Sequence, residues 1–119
     1  MQKYTQAYRN MPETLTVVGQ ITGLNTGATI VLGKGYTAAK NGTGVYEITI
    51  DQPFKAAVAV GIYGISAAAA RTVQYVGYDV STRKVSFRLI DASGAAADGA
   101  AAGTIDFNIT LFLSGLPLK

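Results

Sequence analysis

The feature that most constrains the fold of this chain is an alternation of apolar and polar residues with a period of two. It is clearest in residues 45–50, where the apolar side chains on one side are Tyr46, Ile48 and Ile50. This period is the mark of a β-strand with one buried face. A glycine-rich turn precedes the strand, and Pro53, which has no N–H for a neighbouring strand, ends it. Because Phe54 begins another apolar run, the sequence predicts a hairpin-like unit of two strands.

Other segments have the same character, and together they predict the architecture of the chain. The predicted strands span residues 15–21, 28–32, 45–50, 54–63, 71–80, 83–90 and 104–113. Residues 36–43 are predicted to form a loop, and the alanine-rich segment 91–103 an exposed loop or one that orders against a neighbour. About seven short strands separated by turns predict an all-β fold, an antiparallel β-sandwich that is jelly-roll or Greek-key-like.

The length and the character of the first residues predict the domain organisation. A chain of 119 residues is long enough for one domain. Residues 1–13 are polar and are predicted to be an N-terminal arm, with residues 14–119 forming a single β-sandwich domain. The start has no apolar segment of the signal-peptide kind, and no run is long enough to span a bilayer. We therefore expect synthesis in a cytoplasm, no standard secretion and no membrane partner.

The composition argues against an enzyme. The chain contains no cysteine and no histidine, which excludes disulfides, thiolate chemistry and the commonest general base and metal ligand. Glu47 and Asp51 are four residues apart, which on a strand is roughly 13 Å and too far for an acid–base pair. Asp91 and Asp98 lack the regular ligand spacing of a calcium loop. We predict no catalytic residues, no cofactor and no metal.

The basic residues do not predict a nucleic-acid partner. The net charge of +3 is spread thinly, and the only adjacent basic pair is Arg83 and Lys84, with Arg88 close by. Nucleic-acid binders concentrate their positive charge on one face. We interpret these three side chains as a solubilising strand edge or turn.

Two interpretations of the strand tyrosines remain open. Tyr36, Tyr63, Tyr75 and Tyr78 could form a platform on which a sugar stacks, or they could be ordinary half-buried residues of strands. The first interpretation favours a receptor- or glycan-binding domain at a fibre or tail tip.

The order of these elements resembles that of small β-sandwich proteins of tailed-phage virions, which include capsid decoration (cement) proteins and fibre-tip domains. The resemblance covers residues 42–113. It rests on the alternation of Gly42, Gly44, Tyr46, Ile48 and Ile50, on Pro53 and Phe54 with the apolar strand that follows, and on the closing strand with Asp106, Phe107, Asn108 and Ile109.

The resemblance implies a structural protein on the capsid surface of a virion, which binds the lattice of the major capsid protein and stabilises the shell as a homo-oligomer, a dimer or trimer. The chain would be made in the host cytoplasm. The arm, the strand with apolar residues on both faces and the apolar tail are the segments expected to contact neighbours. The expected interface residues are Tyr4, Tyr8, Arg9, Val73, Tyr75, Leu116 and Leu118.

Overall fold

The structure is a computed structural model that describes residues 14–65 and 71–113, without the side chains of Val58 and Ile65. The predicted arm at residues 1–13 and the apolar tail at residues 114–119 lie outside the described residues. Within the described ranges all regular structure is β-strand. The eight strands are β1 (Thr14–Thr22), β2 (Thr29–Leu32), β3 (Tyr36–Lys40), β4 (Val45–Ile50), β5 (Phe54–Ile65), β6 (Thr72–Asp79), β7 (Lys84–Ile90) and β8 (Thr104–Leu113).

The strands form two four-stranded antiparallel sheets, which confirms the predicted β-sandwich. Sheet A has the order β2-β1-β8-β5, and sheet B has the order β3-β4-β7-β6. The central pairs join distant parts of the chain, since β1 pairs with β8 and β4 pairs with β7, which is how Greek-key connections close a sandwich. The margins are β2 and β5 in sheet A, and β3 and β6 in sheet B.

The core forms where the period-two alternation turns apolar side chains of both sheets inward. Fully buried residues of the central strands are Tyr46, Ile48, Ile50, Val85, Phe87, Leu89, Ile105, Phe107, Ile109 and Leu111. The predicted inward faces of β4, β7 and β8 are therefore confirmed. The aromatic rings pack at tilted and edge-to-face angles, as aromatic side chains prefer.

Strand β3 is a correction to the sequence prediction, which made residues 36–43 a loop. Tyr36 lies opposite Ile50, and Lys40 lies opposite Tyr46. The strand is a short margin strand whose core-facing side carries Ala38 and Lys40 besides Tyr36, so it has too little apolar alternation to be recognised. The turn that Asn41 and Gly42 were predicted to form is present, and it joins β3 to β4.

The predicted hairpin between residues 45–50 and 54–63 is wrong, because β4 belongs to sheet B and β5 to sheet A. The break at 51–53 carries the chain from one sheet to the other. Two hydrogen bonds to the backbone of Asp51 hold this link against sheet B. The Asp51 amide donates to the Gly35 carbonyl at 2.9 Å, and Arg83 Nη1 donates to the Asp51 carbonyl at 2.7 Å. Pro53 was correctly placed at the end of a strand, but a proline break does not specify where the next strand pairs.

Strand β6 contains an irregularity that the alternation did not reveal. The register with β7 shifts between Tyr75 and Gly77, so that Val76 is an additional residue. As a result Tyr78 lies opposite Val85, and Tyr75 lies opposite Phe87, both on the core-facing side. The predicted division, with Tyr78 on the face away from Tyr75, is therefore wrong. The predicted hairpin of residues 71–80 with 83–90 is present as β6 and β7.

The alanine-rich segment 91–103 is a loop, as predicted, but it is attached to the chain's own body. The Ala97 amide donates to the Leu89 carbonyl at 3.1 Å, and the Gly44 amide donates to the Asp98 carboxylate at 2.7 Å. Gly99 is buried against Leu24. Backbone hydrogen bonds and one carboxylate thus order a segment that has no large side chain to bury.

Candidate functional site

The expected interface residues fall into two groups. Tyr4, Tyr8, Arg9, Leu116 and Leu118 lie outside the described residues. Val73 and Tyr75 both lie on β6, but their surroundings differ. Val73 is half-buried and packs against the core, whereas 41% of Tyr75 is exposed.

Tyr75 belongs to a group of exposed apolar residues on β6 and the turn after it. We call this surface the β6 strip; its residues are Tyr75, Val76, Tyr78 and Val80, which are 41%, 58%, 43% and 44% exposed. Burial, and to a smaller extent the charge of Tyr78, raises the pKa of Tyr75. Large apolar side chains grouped on one margin are uncommon on a protein surface that has no partner.

The strand that lies across the core from the strip covers it only in part. Strand β5 lies on the same margin of the other sheet, and its inward residues are Ala57, Val60 and Ile62. At one end Phe54 closes the margin, with its ring centroid 6.0 Å from that of Tyr78. The rings of Tyr75 and Tyr78 therefore remain partly exposed between the two sheets.

The end of the sandwich at Phe54 is also where the chain enters and leaves the described body. Thr14, the first residue of β1, lies opposite Phe112, and Leu113, the last residue of β8, lies opposite Phe54. The points of attachment of residues 1–13 and 114–119 therefore lie at the same end as Tyr78.

The four tyrosines of the alternative sugar platform do not lie together. Tyr36 is only 4% exposed; its ring packs edge-on against Phe107, with centroids 5.0 Å apart, and its hydroxyl donates to the Leu32 carbonyl. Tyr75 and Tyr78 belong to the β6 strip. Tyr63, which is 67% exposed, lies on the outer face of sheet A, opposite Asp106. The platform predicted from these four residues is therefore not formed.

The outer face of sheet A contains a groove that the sequence analysis did not identify. The outer groove measures about 270 Å³, with the exposed side chains of Val18, Leu32 and Tyr63 around Gln20, Asp106 and Asn108. These residues come from four strands, and only the register of the sheet brings them together. The available signal was the polar side of β8, which the alternation had identified only as the solvent side. The enclosed cavity beside Arg71 and Leu89, by contrast, measures only about 10 Å³.

The basic residues have partners within the chain. Lys84 Nζ lies 3.2 Å from Glu47 Oε1, and Arg88 Nε donates to Gln74 Oε1 at 2.8 Å. Arg83 binds the link between β4 and β5. Arg83 lies in the turn between β6 and β7, as interpreted, whereas Lys84 and Arg88 lie on β7, a central strand of sheet B and not an edge.

Among the carboxylates, Asp98 has the most developed surroundings. Burial alone would raise the pKa of the Asp98 carboxyl, but the hydrogen bond from Gly44 and the charges of Lys40 and Arg71 hold it below its ordinary value. Lys40 Nζ lies 3.2 Å from Asp98 Oδ1. In the described ranges no three acidic side chains group as metal ligands. The contacts of Asp98 join the alanine-rich loop to the β3–β4 turn, which is a structural role.

Comparison with models of known families, with curated proteins and with solved structures finds no match. In the part of the chain that the structure describes, no helix is long and apolar enough to cross a membrane.

Proposed function

We propose that this chain is a structural virion protein, a capsid decoration protein that binds the lattice of the major capsid protein and stabilises the shell. The observation that carries the proposal is the meeting of the β6 strip and both chain attachment points at one end of the sandwich. A protein that is bound in many copies on a shell needs a rigid body and an anchoring surface rather than a catalytic site. Modest contacts suffice for each copy because they add over the lattice.

The β6 strip supplies the anchor in this proposal. Tyrosine rings contribute large contact areas at low cost in conformational entropy, and interfaces are enriched in them. Tyr75 and Val76 are its best candidates for contact, because Tyr78 already packs against Phe54 and Val73 already packs against the core. Residues 1–13 and 114–119 start beside the strip and would extend the contact, with Tyr4, Tyr8, Arg9, Leu116 and Leu118 as the contributing side chains.

The test compares the wild-type chain with a Tyr75→Ser, Val76→Ser double variant in co-sedimentation with purified capsids of the phage that carries the gene. We expect the double variant to bind at least about tenfold more weakly, since central aromatic contacts dominate interface energies. Tyr63→Ser, which removes an even more exposed ring from the other sheet, is the control and should bind normally. Unchanged binding of the double variant would contradict the role of the strip.

A deletion of residues 1–12 tests the arm separately. It leaves every described strand intact, so circular dichroism should be unchanged while capsid occupancy falls. The proposal also includes a homo-oligomer, a dimer or trimer, and light scattering should then give two or three times the 12.4 kDa mass of one chain. A monomer at all concentrations would remove the oligomer from the proposal and leave the anchor to be tested on capsids.

A further inference from the structure

We propose that the outer groove binds a neutral saccharide through Tyr63, Asp106 and Asn108. This inference goes beyond the structural role proposed above, because the outer groove lies on the outer face of sheet A and the β6 strip lies on a margin of sheet B.

The first argument is the position of the Tyr63 ring. Tyr63 is 67% exposed and lies opposite Asp106 on the outer face of the sheet. Its neighbour along this face of the strand is Gly61, where a Cβ would lie 2.6 Å from Asn108 Oδ1, so the Asn108 side chain occupies the space over this glycine. The exposed ring of Tyr63 offers its face to a flat, partly apolar group, and the C–H face of a pyranose ring is such a group.

The second argument is the hydrogen-bonding capacity of Asp106 and Asn108 in the outer groove. Gln20 Nε2 donates to Asp106 Oδ1 at 2.7 Å, which holds the carboxylate in place and leaves Asp106 Oδ2 as an acceptor. The Gly61 amide donates to Asn108 Oδ1 at 3.1 Å, which orients the side-chain amide and leaves Asn108 Nδ2 as a donor. A fixed acceptor and a fixed donor side by side match adjacent hydroxyl groups, each of which both donates and accepts.

The third argument is size and charge. At about 270 Å³ the outer groove is at the small end of ligand sites, which begin near 300 Å³, so it suits a single ring-sized group. Asp106 is the one charged side chain among the described residues that line it. A carboxylate without a basic neighbour in the outer groove disfavours acidic sugars, and the site therefore selects neutral ones.

The experiment is a titration of the full ¹⁵N-labelled chain with glucose, galactose, mannose and N-acetylglucosamine, as free sugars and as trisaccharides. We expect at least one of them to shift the side-chain amide signals of Asn108 and Gln20 and the backbone signals of Gly61 and Tyr63. Glucuronic acid should bind more weakly than glucose. The absence of shifts at these groups with every neutral sugar, or stronger binding of glucuronic acid, would overturn the proposal.

Variants separate the outer groove from the rest of the surface. Tyr63→Ala should weaken binding of the best sugar by about tenfold or more, while Tyr63→Phe, which keeps the ring, should retain most of it. Tyr75→Ala removes a ring from the β6 strip and should leave the sugar affinity unchanged. Equal losses in Tyr63→Ala and Tyr75→Ala would overturn the site. Normal sugar binding with no capsid binding would retain the outer groove and reject the decoration function.

Discussion

Tyr46 shows how one side chain joins the core of the sandwich to the loops at its end. Its ring is fully buried, while its hydroxyl donates to the Leu24 carbonyl and accepts a hydrogen bond from the Gly99 amide at 3.2 Å. Burial raises the pKa of this hydroxyl, so it stays protonated and able to donate throughout the physiological range. Two loops that are far apart in sequence are thereby fixed to a single atom.

We predict that Tyr46→Phe destabilises the fold by about 1–3 kcal/mol, because it leaves the Leu24 carbonyl and the Gly99 amide without their buried partner. Urea unfolding followed by circular dichroism measures the change. Tyr63→Phe removes an exposed hydroxyl and is the matched control, with an expected change near zero. Equal effects of the two substitutions would show that the Tyr46 hydroxyl does not join these loops.

The Asp98 carboxylate makes the stability of the fold depend on pH. A carboxylate whose pKa is lower in the folded chain stabilises the fold above its unfolded pKa, and this contribution is lost as the pH falls through the folded pKa. The ordinary value is 3.8, and Asp79 and Asp91 are lowered as well, mainly by hydrogen bonds from Ser81 and Ser93. The fold should therefore lose stability on acidification below that value.

We predict that the free energy of unfolding of the wild-type chain falls between about pH 5 and pH 3, and that Asp98→Asn makes this decline shallower. Lys40→Met removes one of the charges that lower the pKa of Asp98. The decline of its free energy of unfolding should therefore be shallower than that of the wild type and steeper than that of Asp98→Asn. Denaturant unfolding at a series of pH values measures the three slopes. Identical slopes for wild type and Asp98→Asn would contradict the account.

At the scale of elements, the β3–β4 turn holds the alanine-rich loop as well as joining two strands. Gly44 has a φ of +70°, and its amide binds Asp98 while its carbonyl accepts from the Leu89 amide at 2.7 Å. A Cβ at this position would lie 2.7 Å from the Ala97 nitrogen and 2.9 Å from the Leu89 oxygen. Neither backbone atom can move without breaking the bonds that order the loop.

We predict that Gly44→Ala destabilises the fold by more than Gly42→Ala does, with a difference of about 1–3 kcal/mol from crowding. Both glycines have positive φ, but a Cβ on Gly42 would meet nothing within 4 Å, so Gly42→Ala carries only the conformational strain. Thermal unfolding of both variants gives the comparison. Equal melting temperatures would mean that the alanine-rich loop moves to accommodate the added methyl group.

The sequence predicted the strands that bury large side chains at every second position and missed what depends on register. Strand β3 was missed because its core-facing side carries only an alanine and a lysine besides Tyr36. The hairpin at 51–53 was wrong because a local break does not show which sheet the next strand joins. The shift at Val76 coincides with a change of phase in the apolar positions, from 73 and 75 to 76, 78 and 80, which was interpreted as two apolar faces of a regular strand. Alternation reports burial along one strand, whereas pairing depends on residues far away in sequence.

The same distinction between burial along one strand and pairing of distant residues applies to the candidate sites. The exposure of Tyr75 was foreseen, since apolar residues on both sides of one strand require an explanation beyond the core. The outer groove was not foreseen, because Gln20 and Asp106 are separated by 86 residues and meet only through the pairing of β1 with β8. Of its members, Tyr63 alone was considered as a ligand-binding residue, and it was grouped with Tyr36, which lies in the core.

At the scale of the whole molecule, the sandwich presents two separate surfaces. The β6 strip lies on a margin of sheet B beside the points where the chain enters β1 and leaves β8. The outer groove lies on the far face of sheet A. This separation allows a body that is anchored through the β6 strip to keep the outer groove open to solvent, and it allows each surface to be altered without the other.

The proposed decoration function is tested most directly by the binding of the labelled wild-type chain to purified phage capsids. A decoration protein occupies equivalent positions of a lattice, so binding should saturate at a fixed ratio of chains to major capsid protein. The bound shells should also withstand heating better than bare shells, because a ligand of the assembled state stabilises that state. The absence of saturable binding, with bare and treated shells melting alike, would contradict the account.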